Sequence, residues 1–333
     1  MFLYFFKFVF NDMSFVEQMN SEETTKLLPK FMNVKLDNDE KTWKKLQKFM
    51  NSLWPKEIPG LKYPDIVQGC DINLLKDQNN FIHLGSGVQG DVYLGHHLPS
   101  NKYTAVKFFH KGHDSVRNIF RESCCLEIGS TTGGSAYFFG ISYLQTNEKY
   151  HRFAIVTEFI GDETTFQSTN FNDILSDKVL CDRDILHHIL QIIKSVYSLH
   201  MAGLVISDLK FDNCLFDKHS KTWKVIDMGM SVIEGIIVNY AHTYGLKVRE
   251  DYQKFLTTYK QIAPETVYFG HLGKKSDVFR IGRILEFAYS YRKDMKNSLG
   301  PVARECLKPI ECRPTLSQVY QYLKSVVNNV EIK

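Results

Sequence analysis

The sequence predicts an α+β chain of two lobes, the first β-rich and the second mainly helical. Three observations carry this. From about residue 80, Phe81–Leu84, Asp91–Leu94 and Tyr103–Phe109 are rich in β-forming residues, with turn residues between them. Beyond Asp182, Ile185, Leu186, Ile189, Leu190, Ile193, Val196 and Leu199 recur at helical spacing. The 333 residues are enough for two cores.

The elements follow in order. Residues 1–70 read as an N-terminal extension with one amphipathic helix. The opening MFLYFFKFVF is apolar but stops at Asn11-Asp12, short of the about 20 residues a bilayer requires. It also lacks the basic start and small-residue cleavage site of a secretory signal. A membrane-surface anchor is one reading. A buried strand, or a stretch upstream of a start at Met13, is the expected one. Asp37 to Glu40 form an acidic first turn, and Trp43, Leu46, Phe49, Met50 and Leu53 then make one helical stripe, ended by Pro55 and Pro59-Gly60. The first lobe is expected over 78–160, with a helix over Ser115–Ile128 and a strand over Phe153–Phe159. The second is expected over 161–328, with short strands at 204–206, 214–216 and 222–226 and helices after Pro264.

Composition sets bounds. Net charge is +4, which gives no reason to expect nucleic acid. Seven scattered cysteines without a CxxC pair fit free thiols in a reducing compartment, cytoplasmic or nuclear and not secreted, and argue against zinc. No run is long enough to be transmembrane.

The chemistry sits in ordered motifs. LGSGVQGDVYLG at 84–95 holds Gly85, Gly87 and Gly90 in a hairpin rather than a strand-to-helix turn, and glycines let a backbone approach phosphates. Lys107 lies in the apolar strand TAVKFF and needs a carboxylate to hold it; Glu122 and Glu127 lie on the following helix. ISDLKFDN at 206–213 places Asp208, Lys210 and Asn213 between segments that want burial, where charge is expensive unless a metal or ligand meets it. Asp227-Met228-Gly229 follows a strand.

These pieces resemble those of eukaryotic-type serine/threonine protein kinases. DLKFDN resembles the catalytic loop HRDLxxxxN, Asp227-Met228-Gly229 the DFG motif, Ala263-Pro264-Glu265 the APE motif, Ser276-Asp277-Val278 with Gly282 the SDVxxxG helix, and Arg313-Pro314-Thr315 the late RPT element. Together, in one order over roughly 81–325, they are specific. The resemblance implies a two-lobed kinase fold that binds ATP and Mg²⁺ and phosphorylates serine or threonine hydroxyls of protein substrates. It implies Asp208 as base and Lys210 as stabiliser of the moving phosphoryl charge. Asn213 and Asp227 are the implied magnesium ligands. Lys107, held by Glu122, positions the α- and β-phosphates under the flap of Leu84, Gly85, Gly87 and Gly90. Val92, Ala105 and Leu215 would sandwich the adenine, with backbone groups of Glu158 and Ile160 facing it after a gatekeeper Thr157. Arg313 is expected to pair with Glu265, and Thr258 to touch Asp208 and Lys210.

Two departures stand out. Ile206 and Ser207 replace the loop's His and Arg, and Met228 replaces the DFG Phe. With Glu122 as partner of Lys107, the family's apolar spine becomes Ile206, Met228 and Leu126, all apolar. Without the arginine, activity is expected to depend less on activation-loop phosphorylation. The departures also suit a pseudokinase that binds ATP as a scaffold. The divergent loop and the abundance of Asn, Lys, Phe and Tyr suit a kinase of a large DNA virus.

Overall fold

The computed structural model describes residues 65–330 apart from 68, 111–115, 148–149, 235–245, 247–248 and 271. The apolar start and the helix expected over 37–54 lie outside the described residues. The chain divides into two compact units. One holds the described residues up to Glu127 together with Phe138–Phe159, and the other holds Ile128–Tyr137 and everything from Ile160.

The first unit is a sheet. Its strands are β1 (Ile66–Val67), β2 (Ile72–Leu74), β5 (His83–Ser86), β6 (Gly90–His97), β7 (Lys102–Phe109), β8 (Phe138–Asn147) and β9 (Tyr150–Glu158). A two-residue hairpin, β3 (Lys76–Asp77) with β4 (Asn80–Phe81), stands beside it, and the helix α1 covers Val116–Ser130. The order is β1-β8-β9-β7-β6-β2, with β5 also on β6; β1 pairs parallel to β8 and the other pairs are antiparallel.

The period-two rule sorts the residues of β7. Thr104, Val106 and Phe108 are buried, and Val106 and Phe108 join Val67, Ile72, Leu144, Ala154 and Val156 in one apolar core. Each such buried aliphatic or aromatic side chain is worth about 1.5–3 kcal/mol. Ala105 and Lys107 therefore take the other face. Val92 and Ile155 stand opposite Lys107 in register, and Thr157 stands opposite Ala105, so these five share that face.

β1, β2 and β8 were not expected. β1 approaches β8 closely at Gly140, whose φ is +142°. A Cβ there would lie 2.0 Å from the Asp65 carbonyl oxygen, which instead accepts the Ile141 N–H at 2.9 Å.

The second unit is mainly helical: α2 (Phe171–Ser176), α3 (Asp182–Met201), α4 (Arg249–Thr258), α5 (Pro264–Phe269), α6 (Lys274–Tyr291), α7 (Lys296–Cys306) and α8 (Leu316–Val330). The apolar stripe that predicts α3 is buried throughout. Between α3 and α4 lie two antiparallel ribbons. One is β10 (Leu204–Val205) with β13 (Val232–Ile233), and the other is the hairpin β11 (Cys214–Asp217) with β12 (Thr222–Val225). Trp223 fastens this hairpin to α3. It is 1 % exposed, its indole N–H donates to His188 Nδ1 at 3.2 Å, and its carbonyl accepts the Ser195 hydroxyl at 2.6 Å. The segment that joins β10 to β11 is ISDLKFDN, now anchored at both ends.

The two-lobed α+β class is thus the one observed, with the sheet in the first unit and the helices in the second. Among the described residues no helix is long and apolar enough to cross a membrane.

Candidate active site

Lys107 is where the first unit concentrates charge. Its ammonium lies 2.7 and 2.9 Å from the two carboxylate oxygens of Glu122 on α1, and 3.4 Å from Gln89 Oε1. Glu122 is only 2 % exposed, so the pair is a desolvated one. Of the two glutamates on the helix, it is Glu122, the expected partner, that meets the lysine.

The three glycines of the hairpin differ in what they do. A Cβ on Gly90 would lie 2.1 Å from the Phe108 carbonyl oxygen, so the sheet itself requires glycine there. A Cβ on Gly85 would meet nothing within 4 Å, and one on Gly87 only the Gly90 carbonyl oxygen at 3.9 Å. Packing within the protein does not demand glycine at either place; close approach of a ligand to the backbone would. Asp91 stiffens the hairpin, accepting from Ser86 at 2.6 Å and lying 3.0 Å from His110 Nε2. Those contacts hold its carboxyl below the usual range: the Ser86 hydrogen bond, against burial, then the hydrogen bond and charge of His110 and the charge of His83.

The remaining first-unit candidates are dispersed along the sheet. Leu84 is partly buried at a register shift between His83 and Gly85. Glu158 stands opposite Thr104, at the end of β9. Ile160 begins the second unit, and its carbonyl is already engaged by the Ser168 hydroxyl at 2.6 Å.

In the second unit Asp208, Lys210 and Asn213 touch one another. Asp208 Oδ2 accepts from Lys210 Nζ at 2.9 Å and from Asn213 Nδ2 at 3.1 Å. Asp208 Oδ1 accepts no hydrogen bond from the described residues and the side chain is 28 % exposed. One carboxylate oxygen is held and the other is presented. Burial pulls the Lys210 ammonium down. The hydrogen bond and charge of Asp208, with the charges of Asp227 and Asp212, outweigh it and leave Lys210 above the ordinary lysine value. Asp227 is thus close enough to act on Lys210. It stands in the left-handed region, φ +59°, and accepts the Gly229 N–H at 3.3 Å. Leu215 is partly buried opposite Lys224, two residues beyond Asn213.

These groups fit a magnesium ion. Asn213 spends its amide N–H groups on Asp208, on the carbonyl oxygen at 2.9 Å and on Oδ2. Its own side-chain oxygen is thereby oriented as an acceptor, and Asp227 adds a carboxylate. Hard oxygen donors suit Mg²⁺, which is commonly held by one or two protein oxygens together with substrate phosphates. Among the described residues no cluster of three His, Cys, Asp or Glu side chains is placed to hold a metal by itself.

The loop is strained and clamped. Ser207 has φ +63° at the centre of a turn in which the Asp208 N–H donates to the Ile206 carbonyl at 2.8 Å. Asp277 on α6 holds the turn, with Oδ2 accepting from the Ile206 N–H at 2.8 Å and Oδ1 from the Ser207 N–H at 3.1 Å. His200 Nε2 lies 2.9 Å from the same carboxylate. Burial pushes the Asp277 carboxyl up. The hydrogen bond and charge of His200, the charge of Arg280 and the Ile206 amide together hold it below the ordinary value. His200 was missed by the sequence reading, although it falls on the stripe of Ile189, Ile193 and Val196, where a polar residue signals a buried partner.

Two further expectations can be compared with the structure. Arg313 pairs with Glu265 through two contacts, at 2.7 and 3.1 Å. Thr258 is not hydrogen-bonded to Asp208 or Lys210. It ends α4, and its hydroxyl donates to the Lys254 carbonyl of its own helix at 3.1 Å. The spine residues Leu126, Ile206 and Met228 are each buried in their own unit.

The chain is 28% identical over 244 residues to a probable serine/threonine-protein kinase of Dictyostelium discoideum, an alignment of 68% of this chain and 50% of that one. It is 25% identical over 225 residues to a mitogen-activated protein kinase kinase of Nicotiana tabacum, covering 67% of this chain and 57% of the relative. A further Dictyostelium probable serine/threonine-protein kinase is 30% identical over 112 residues, 33% of this chain and 19% of its own. The chain therefore spans little more than half the length of these relatives, or less. The family described as protein kinase domain matches residues 79–299, a stretch that runs from the glycine hairpin past the Asp277 clamp, and the chain belongs to the eukaryotic-type protein kinase family.

Proposed function

We propose that the protein is an active serine/threonine kinase that transfers the γ-phosphoryl group of Mg-ATP to protein hydroxyls. The observation that carries this reading is the state of Asp208, with one oxygen held by Lys210 and Asn213 and the other presented. A base must be aimed and still have an oxygen available for the substrate proton. Lys210 then lies beside the acceptor oxygen as charge develops, and Lys107 fixes the α- and β-phosphates while Glu122 fixes Lys107. Gly85 and Gly87 let the hairpin backbone close over the phosphates. Asn213 and Asp227 would hold Mg²⁺, which neutralises phosphate charge when bound. Val92, Ala105 and Leu215 are the apolar side chains this reading gives to the adenine, with the backbone of Glu158 and Ile160 at its edge. Serine or threonine is favoured by Lys210, two residues after Asp208.

The second reading, an ATP-binding scaffold without transfer, draws on Ile206 and Ser207 in place of the family's His and Arg. One experiment separates the two. The purified chain is given Mg-ATP and a generic protein substrate, with Asp208→Ala as control, and phosphoamino acids are identified. Phosphoserine or phosphothreonine in the wild type, lost by at least about 100-fold in Asp208→Ala, supports the enzyme. A thermal shift with Mg-ATP but no transfer supports the scaffold.

A further inference from the structure

Arg280 lies one helical turn after Asp277 on α6, and both side chains are wholly buried, at 0 % exposure. Its Nη1 lies 3.4 Å from Asp277 Oδ1, the oxygen that also accepts the Ser207 N–H. Nε and Nη2 of Arg280 find no hydrogen-bond partner among the described residues, and neither does the Ser207 hydroxyl. A buried guanidinium with two unsatisfied donor nitrogens is costly to keep. Among the described residues, Asp277 is the charged partner that holds it there. Around the Asp277 carboxylate stand two backbone amides, the imidazole of His200 and this guanidinium, and of these only the guanidinium is charged at every accessible pH.

We infer that Arg280 is a positioning residue for phosphotransfer: its buried charge keeps Asp277 as the carboxylate that clamps the Ile206 and Ser207 amides, and so maintains the strained turn that aims Asp208. Position 207 itself supplies only its backbone N–H to Asp277, and the cation beside that acid comes from α6. This inference rests on the kinase reading only for its kinetic consequence; the clamp itself is independent of activity.

The test is amide hydrogen exchange on the full chain, with steady-state kinetics alongside. In Arg280→Met the amides of Ile206 and Ser207 exchange about 10–100-fold faster, while those of the β11–β12 hairpin keep their wild-type rates. Arg280→Lys recovers most of the protection. In Arg280→Met kcat falls by about 10-fold or more, and KM for ATP moves by less than about twofold. Unchanged exchange at Ile206 and Ser207 overturns the inference. So does uniform acceleration across the second unit, or loss of protection in Arg280→Lys as large as in Arg280→Met. If Arg280→Met does not fold, Arg280→Gln carries the same comparison. A wild-type chain with no transferase activity sinks the kinase reading and leaves the exchange measurement to decide this one.

Discussion

Lys107 and Glu122 form a bidentate ion pair, 2.7 and 2.9 Å, between β7 and the helix α1 that follows it. The glutamate is buried, so the pair is worth most as a way to prevent an isolated charge. Lys107→Met removes the ammonium and strands Glu122. We expect a loss of about 3 kcal/mol in stability, read as a lower denaturant midpoint, and a loss of phosphotransfer of at least about 100-fold. Glu122→Gln retains a hydrogen-bond acceptor for Lys107, and its stability cost is the smaller of the two. Equal stability of wild type and Lys107→Met would contradict this account.

The glycines separate structure from ligand. Gly90→Ala drives a methyl into the Phe108 carbonyl, 2.1 Å away, and the sheet must shift to accept it. That variant loses on the order of 1–3 kcal/mol. Gly85→Ala and Gly87→Ala place the methyl in open space and leave the melting temperature within about 2 °C of wild type. Their effect falls on KM for ATP, which rises. Thermal melts and ATP titrations of the three variants decide the matter. A Gly85→Ala protein that melts early yet binds ATP normally would reverse the assignment.

Much of this site was legible in the sequence because its residues act locally or carry costly charge. Asp208, Lys210 and Asn213 lie within one short loop, and Lys107 interrupts an apolar strand. Arg313 and Glu265 meet across a long separation, yet each belongs to a recognisable motif. What could not be read depends on geometry that periodicity does not encode. β8 contains Gly140, which looks like a break and is in fact where the Asp65 carbonyl, just before β1, packs against the β8 backbone. Arg280 sits in the run VFRIGRIL and reads as a surface charge, because nothing local says that Asp277 is buried one turn before it. The motif around Thr258 implies contact with Asp208 and Lys210, whereas REDYQKFLTT folds as a helix that turns its hydroxyl onto its own backbone.

The cysteines give a prediction about chemistry rather than catalysis. Cys70, Cys181 and Cys312 are exposed, and Cys124, Cys125, Cys214 and Cys306 are buried. Burial pushes the thiols of Cys125, Cys214 and Cys306 up to about 12 and raises Cys124 as well. At pH 8 such a thiol is ionised in only about 1 molecule in 10,000, and the thiolate is the nucleophile. A disulfide reagent should therefore titrate three thiols rapidly in the native protein and all seven after denaturation. Rapid reaction of four or more would show that a buried cysteine opens readily to solvent.

Asp277 links stability to pH. Its carboxyl lies below the ordinary value in the folded chain, so the unfolded chain takes up the proton first as pH falls. The stabilisation is complete above about pH 4, the unfolded value, and is lost as pH falls through the native value. Asp277→Asn removes this source of the acid limb and lowers stability at neutral pH, since Ile206, Ser207, His200 and Arg280 lose their common acceptor. Urea midpoints from about pH 3 to 7 should fall more shallowly toward acid in the variant than in the wild type. Parallel curves would assign the acid limb to other carboxylates.

Ser207 decides the last expectation. Its side chain is buried, carries no charge, and makes no hydrogen bond to the described residues, so it offers nothing to a phosphorylated residue. Arg280 cannot substitute in that role, because a wholly buried guanidinium committed to Asp277 does not reach solvent. Phosphorylation of the segment between Asp227 and Glu265 would find no cation at the catalytic loop's arginine position to order it. The kinase purified with its phosphates should thus keep its activity within about twofold after phosphatase treatment. Loss of most activity, restored by autophosphorylation, would place a phosphate-reading cation elsewhere in the chain.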